Sequence, residues 1–312
     1  MTKKNEELRK VKRRTPGLIL RGLCMGIADV VPGVSGGTVA LIMGVYDELV
    51  QTIASVDGRI LRALVRFQFR EVYNLLNAGF LLPLLMGIVL AIALFAKLIT
   101  YLLATFPQPV WGFFTGLIVA SAIYVFRQIE GRLDSLQLVT LLLGACFGYG
   151  ITLLVPVETG TENFKFVLAG MIAICAMILP GISGSFLLVI MGKYQQVFSA
   201  VHERNIEIIL LFIVGAVLGL LIFSRLLKRL LSRYHTVTMA FLVGLMLGSI
   251  RKIWPFRKVL EERVVGSKVL VLRDECILPS SMTNEVWVTL LLAVGGFALV
   301  FLLERIGNRQ TS

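Results

Sequence analysis

Two short stretches of this chain could bind an anion with little more than backbone amides and hydroxyls. They read Pro32-Gly33-Val34-Ser35-Gly36-Gly37-Thr38 and Pro180-Gly181-Ile182-Ser183-Gly184-Ser185, each in the middle of a long apolar run. Proline cannot continue a preceding helical ladder, and glycine permits turns and close backbone approach. Ser35 and Ser183 are natural N-caps for a new half-helix. The amides of Gly36, Gly37 and Thr38, and of Gly184 and Ser185, are then expected to point into a cavity with the positive end of a helix dipole behind them. That arrangement favours a phosphate or another anion. In hydrocarbon, an unwound stretch persists only where it lines a cavity or is buried in protein. Simple Pro-Gly kinks are the alternative reading of both stretches.

Ionisable groups inside apolar segments are costly and usually functional. Lys97 and Arg225 fall at equivalent places in two similar parts of the chain, which suits a pair of cationic clamps on an anionic headgroup; snorkelling to an interface is the alternative. Asp29 precedes the first break and is matched by Met177 before the second, so it is an asymmetric acid and a candidate for coupling to a proton or another cation. Asp47, Glu48 and Lys193 are expected at interfaces, and His202 and His235 at membrane edges. Cys24, Cys146, Cys175 and Cys276 form no CxxC pattern and no cluster with His, so neither a metal site nor a disulfide framework is expected, and no cofactor is implied.

These groups need a membrane scaffold to position them. With 57% hydrophobic and 16% charged residues and a mean hydropathy of +0.85, the 312-residue chain has too little polar surface for a water-soluble globule. A net charge of +12 raises the possibility of nucleic-acid binding. However, the Lys and Arg residues gather at the edges of apolar runs without aromatic interleaving, so they read as topology and lipid-headgroup charges. Membrane spans are predicted at 80–104, 109–126, 136–155, 206–226, 235–250 and 285–303. Two longer segments, 17–53 and 165–200, carry the breaks.

Basic residues flank 17–53 on both sides: the tail 1–16 before it, then Arg59, Arg62, Arg66 and Arg70 after it. Positive-inside counting therefore makes it a re-entrant hairpin with both ends in the cytoplasm. The spans that follow put the acidic loop near Glu158 outside, so 165–200 enters from the opposite face. Both termini are cytoplasmic. The loop 251–284 falls outside although Arg251, Lys252, Arg257 and Lys258 make it basic. The four arginines between 59 and 70 share one face of a predicted helix over 56–75, suited to lying on an anionic leaflet; an ordinary positive-inside loop accounts for them equally.

The chain repeats itself. Val31 to Tyr46 aligns without gaps on Leu179 to Tyr194 with eight identities in sixteen positions. Downstream, Gly87 pairs with Gly215, Phe95 with Phe223, Lys97 with Arg225 and Phe113 with Phe241. Each half, 17–155 and 165–303, is one broken hairpin plus three spans. Three is odd, so the second half is expected upside down relative to the first. The predicted fold is an all-α polytopic membrane protein of two inverted-topology repeats, an architecture common in secondary transporters whose site lies at the repeat interface.

The strings ADVVPGVSGGTVALIMGVY, PGISGS and FLVGLMLGSIRKIWPF resemble the bacterial undecaprenyl-phosphate translocases of the PopT type, over residues 16 to 305 or so. The resemblance implies a flippase returning undecaprenyl phosphate from the outer to the inner leaflet of the bacterial inner membrane, serving the cell wall and peptidoglycan. The two broken motifs would hold the phosphate by alternating access; a homo-oligomer is compatible with this. The first motif is also similar to the PG-x-SRSG loop of undecaprenyl-pyrophosphate phosphatases. Gly36 and Gly184 stand where that family has its arginine, and no Glu-rich helix accompanies either loop, so a hydrolase reading is disfavoured. A channel or exchanger for small inorganic anions is the third reading.

Overall fold

The computed structural model describes residues 2–31, 33–129, 134–157, 159–160, 162–265 and 268–309. Pro32 of the first break, Glu158 and the loop around Arg132 lie outside the described residues. The first half comprises α1 (Thr2–Val30), α2 (Gly36–Ile42), α3 (Tyr46–Ala54), α4 (Gly58–Val65), α5 (Phe69–Leu75), α6 (Ala78–Thr105), α7 (Pro107–Arg127) and α8 (Ser135–Leu153). The second comprises α9 (Asn163–Ile178), α10 (Gly184–Ile190), α11 (Tyr194–His202), α12 (Ile206–Arg233), α13 (His235–Ile253), the strands β1 (Arg257–Val265) and β2 (Lys268–Cys276), and α14 (Asn284–Arg309). Among the described residues six helices, α6, α7, α8, α12, α13 and α14, are long and apolar enough to cross a bilayer.

Both long apolar segments stop and restart in the same way. Gly33 and Gly181 take positive φ of 89° and 85°, and a second pair of turns at Gly44 and Gly192 takes 65° and 64°. A side chain is strained in that region, so glycine sets where each helix can turn. Between the turns α2 and α10 are seven residues long, and the helices that follow, α3 and α11, are nine. Each segment is therefore three helices rather than two.

The long helices that follow lean back on the helix that opened their half, α6 on α1 and α12 on α9. Glycine permits both crossings. A Cβ on Gly87 would lie 2.9 Å from Gly22 Cα, and one on Gly215 would lie 2.8 Å from Val167 Cα. Backbones that approach this closely gain dispersion where lipid offers no hydrophobic drive for helices to associate. The last two helices of each half pack across the halves instead: α7 lies along α14, and α13 along α8. Gly116 against Ala293 and Gly244 against Ala145 make these contacts close.

Two insertions break the correspondence. The first half carries α4 and α5 before α6. The single helix expected over 56–75 is interrupted at Phe67, whose φ is +55°, so Arg62 and Arg70 lie on separate helices, both exposed. The second half carries the β1–β2 hairpin, antiparallel from Arg257 opposite Cys276 to Val265 opposite Lys268, where a loop was expected.

Candidate functional site

The two breaks come together inside the protein. Ser35, 1% exposed, caps α2 by accepting the Gly37 amide at 3.1 Å. Its own hydroxyl reaches the end of α9, with the carbonyls of Leu179 and Met177 at 3.1 and 3.3 Å. From the other side, the Gly181 amide donates to Thr38 Oγ1 at 3.0 Å. The positive end of α2 thus abuts the negative end of α9, an attraction that the low dielectric strengthens. Ser35, Thr38 and Ser183 are all buried. One polar seam therefore joins residues more than 140 positions apart.

The amides are not equally available. Gly36 donates to Asp29 Oδ1 at 2.7 Å, Gly37 to Ser35, and Thr38 to the Ser35 carbonyl at 3.0 Å. The N-terminus of α2 is already occupied by the chain's own carboxylate, a charge-assisted bond of about 1.5–3 kcal/mol. In the second half Met177 holds the matching position: a Cβ on Gly184 would meet Met177 Cγ at 2.7 Å, as one on Gly36 would meet Asp29 Oδ2 at 2.5 Å. A thioether is a poor acceptor. Ser183 makes no side-chain cap and instead shares a hydrogen bond with Ser185 Oγ at 2.8 Å. Among the described residues, no acceptor pairs with the Gly184 and Ser185 amides. Of the two helix starts, the first is thus capped by side chains and the second is not.

A narrow cavity of about 10 Å³ lies beside that second helix start, the room of about one water. Both breaks contribute to it, through Gly33 and Gly181, and Ser183, Thr152, Ser249 and Lys252 give it polar groups. Lys252 lies over the Phe186 ring, 4.3 Å from its centre. In the sequence it stands among the charges of the 251–284 loop, which hides it. The signal that could have found it is a basic run, Arg251-Lys252, on the face where positive-inside counting expects few cations.

Lys97 and Arg225 are placed elsewhere. Both are exposed on the outer faces of α6 and α12, and neither lines the cavity. Arg225 donates to the Val56 carbonyl at 2.6 Å, fastening α12 to the turn between α3 and α4. In this structure the two side chains therefore do not flank the breaks: equivalent positions in a repeat share a place on their helix but not the same neighbours. Among the described residues no group of His, Cys, Asp and Glu is placed to hold a metal ion.

The chain is similar to known proteins along most of its length. A family model described as undecaprenyl phosphate translocase-like matches residues 25–269. A polyprenyl-phosphate transporter of Vibrio cholerae is 44% identical over 297 residues, covering 93% of this chain and 96% of the relative. A polyprenyl-phosphate transporter of Staphylococcus aureus is 30% identical over 254 residues, covering 76% and 85%. No solved structure matches the chain.

Proposed function

The chain belongs to the undecaprenyl phosphate translocase-like family, and from that premise we propose that it carries polyprenyl phosphate from the outer to the inner leaflet of the bacterial inner membrane, with the phosphate passing between the two broken segments. It is a multi-pass membrane protein and a lipid-phosphate transporter. The path and direction of the lipid are our reading.

One observation carries the mechanism: two interrupted segments from opposite halves meet at a buried seam, Ser35 on Leu179 and Gly181 on Thr38. In this reading the halves are inverted repeats and each broken segment is re-entrant, with both termini in the cytoplasm. The repeated motif, the odd number of spans per half and the exchange of α7 and α13 between halves support it. The headgroup, not the prenyl tail, resists crossing the hydrocarbon. A phosphate on the Gly184 and Ser185 amides, neutralised by Lys252, would have its charge compensated at every stage while the tail stays in lipid.

Asp29 then gives the carrier its asymmetry. While its carboxylate sits on Gly36, the start of α2 is closed to an anion; protonation or a cation would release it, so Asp29 is the proposed coupling group. Gly36 and Gly184 stand where a related hydrolase loop has arginine, which favours carriage over hydrolysis.

The test is flux in proteoliposomes. Wild type should move fluorescent polyprenyl phosphate between leaflets at least tenfold faster than protein-free vesicles, and the double variant Ser35→Ala, Ser183→Ala should lose most of that gain. Release of inorganic phosphate from a prenyl pyrophosphate, with no lipid movement, would overturn the reading in favour of an enzyme.

A further inference from the structure

Beside the cavity at the breaks lies a second, larger cleft of about 470 Å³, lined by Tyr149, Arg251, Trp254, Asp274 and Cys276 among others. Arg251 lines it, and two further cations, Arg257 and Lys252, stand behind it. Arg251 and Arg257 reach the two oxygens of Asp274, at 3.4 and 3.2 Å, with side-chain exposures of 16%, 20% and 10% respectively. Lys252 lies next in sequence to Arg251, and its carbonyl accepts from Arg257 at 3.0 Å. Aromatic rings back the cations: Trp111 lies 5.1 Å from the Arg257 guanidinium, and Tyr149 lies 6.0 Å from that of Arg251.

Arg251, Lys252 and Arg257 face two carboxylates, Asp274 and the exposed Glu275 that also lines the cleft, which leaves one positive charge in excess in surroundings rich in rings and apolar side chains. An unbalanced cluster of that kind favours an anion. The cluster depends on β2, which supplies Asp274, and the β1–β2 hairpin has no counterpart in the first half. Lys252 lines the cavity at the breaks, and its sequence neighbour Arg251 lines the cleft, so the two spaces are one residue apart along α13.

Building on the transport reading above, we infer that Arg251, Lys252 and Arg257 form a loading site for the phosphate monoester headgroup on the hairpin side of the protein, and that Asp274 is a resident counter-ion which the incoming phosphate displaces. Arg251 is held by the Thr152 and Asp274 carbonyls at 3.0 and 2.9 Å, and Arg257 by that of Lys252, so the phosphate takes the guanidinium donors that the Asp274 carboxylate gives up and those left over. Lys252 passes the headgroup inward, towards Ser183. The narrow cavity admits it only after the breaks part, so the cleft is where the phosphate first rests.

Cys276 lines the same cleft and reports on its occupancy. The full-length protein in zwitterionic nanodiscs is labelled with a membrane-impermeant maleimide, with farnesyl monophosphate or inorganic phosphate added. Farnesyl phosphate should slow labelling of Cys276 at least fivefold in wild type. Arg257→Gln should raise the half-protecting concentration tenfold or more, and Arg257→Lys, which keeps the charge and the fold, should recover much of it.

Asp274→Asn is the discriminating variant: removal of the competing anion should lower that concentration several-fold, whereas a merely structural latch would raise it. Ser183→Ala should slow leaflet-to-leaflet flux while leaving protection of Cys276 within twofold. Weaker protection in Asp274→Asn, or equal protection in wild type and Arg257→Gln with flux intact, overturns the loading site and leaves the transport reading standing. No flux in wild type sinks the transport reading itself. Equal protection by inorganic phosphate and by farnesyl phosphate would make the ligand a free phosphate ion, overturning the role in lipid loading.

Discussion

Asp29 sits on Gly36: its carboxylate accepts that amide at 2.7 Å and fills the N-terminus of α2 with a charge from the chain itself. Met177 covers Gly184 in the matching place and offers no such charge. The repeat therefore builds two similar helix starts, and a side-chain carboxylate engages only the first of them.

Met177→Asp should close the other. A carboxylate placed over Gly184 would accept its amide and compete with phosphate, so flux should fall tenfold or more while the melting temperature holds or rises. A helix N-terminus favours a carboxylate by about 0.3–1 kcal/mol, up to ~2 when partly buried. Flux assays and thermal unfolding of the same preparation check both halves of the expectation; unchanged flux would show that the α10 terminus does not carry the anion.

Ser35 and Ser183 should separate stability from function. Ser35→Ala removes an N-cap and the bond to the end of α9, and is expected to cost about 1–2 kcal/mol of stability. Ser183 makes no cap and loses only its bond to Ser185, so Ser183→Ala should cost about 0.5–1 kcal/mol, less than Ser35→Ala, yet slow transport. Denaturation midpoints in one detergent give the comparison.

The cations should rank by place and not by repeat symmetry. Lys252→Gln, at the cavity, should reduce flux at least tenfold. Lys97→Gln and Arg225→Gln, on exposed outer faces, should stay within about twofold, in keeping with the small effects of surface substitutions. Equal losses in all three would restore the clamp read from the sequence.

Close helix crossings should tolerate no side chain. Gly87→Leu would drive atoms into Gly22 and Leu23, where even a Cβ has too little room. Separating α1 from α6 should cost several kcal/mol and lower the yield of folded protein. Gly150→Leu, at a glycine with nothing within 4 Å, is the control and should fold normally.

Cys276 should react slowly with thiol reagents at neutral pH. Burial, the largest cause, holds its thiol above the ordinary value, with Arg251 acting in the opposite direction. The thiolate is the reactive form, so labelling should speed up as pH rises, with a midpoint above that of a free cysteine. Rates measured from pH 7 to 10 on intact protein test this.

Much of the scaffold was legible before any coordinates. Apolar runs of spanning length mark α6, α7, α8, α12, α13 and α14, because hydrocarbon demands long stretches with their backbone bonds closed internally. Pro180 with Gly181, and Gly33 with Ser35, mark the interruptions, because φ and capping preferences are properties of a residue and its immediate neighbours. The β1–β2 hairpin was not legible: its strands hold charged residues and carry weak alternation within a loop otherwise defined by polarity.

Residue types and their order alone make this a helical membrane protein with two related, broken segments carrying serine and glycine at their restart points. Those features are local, written in hydropathy and backbone preference. Packing alone brings Ser35 to Leu179, Asp29 to Gly36, Lys252 rather than Lys97 or Arg225 to the cavity, and Asp274 between two arginines. Each of these depends on which segments, distant along the chain, pack side by side. A pattern repeated along a sequence fixes which positions are equivalent, but each position's neighbours are set by packing, and charge and hydrogen bonding act through neighbours.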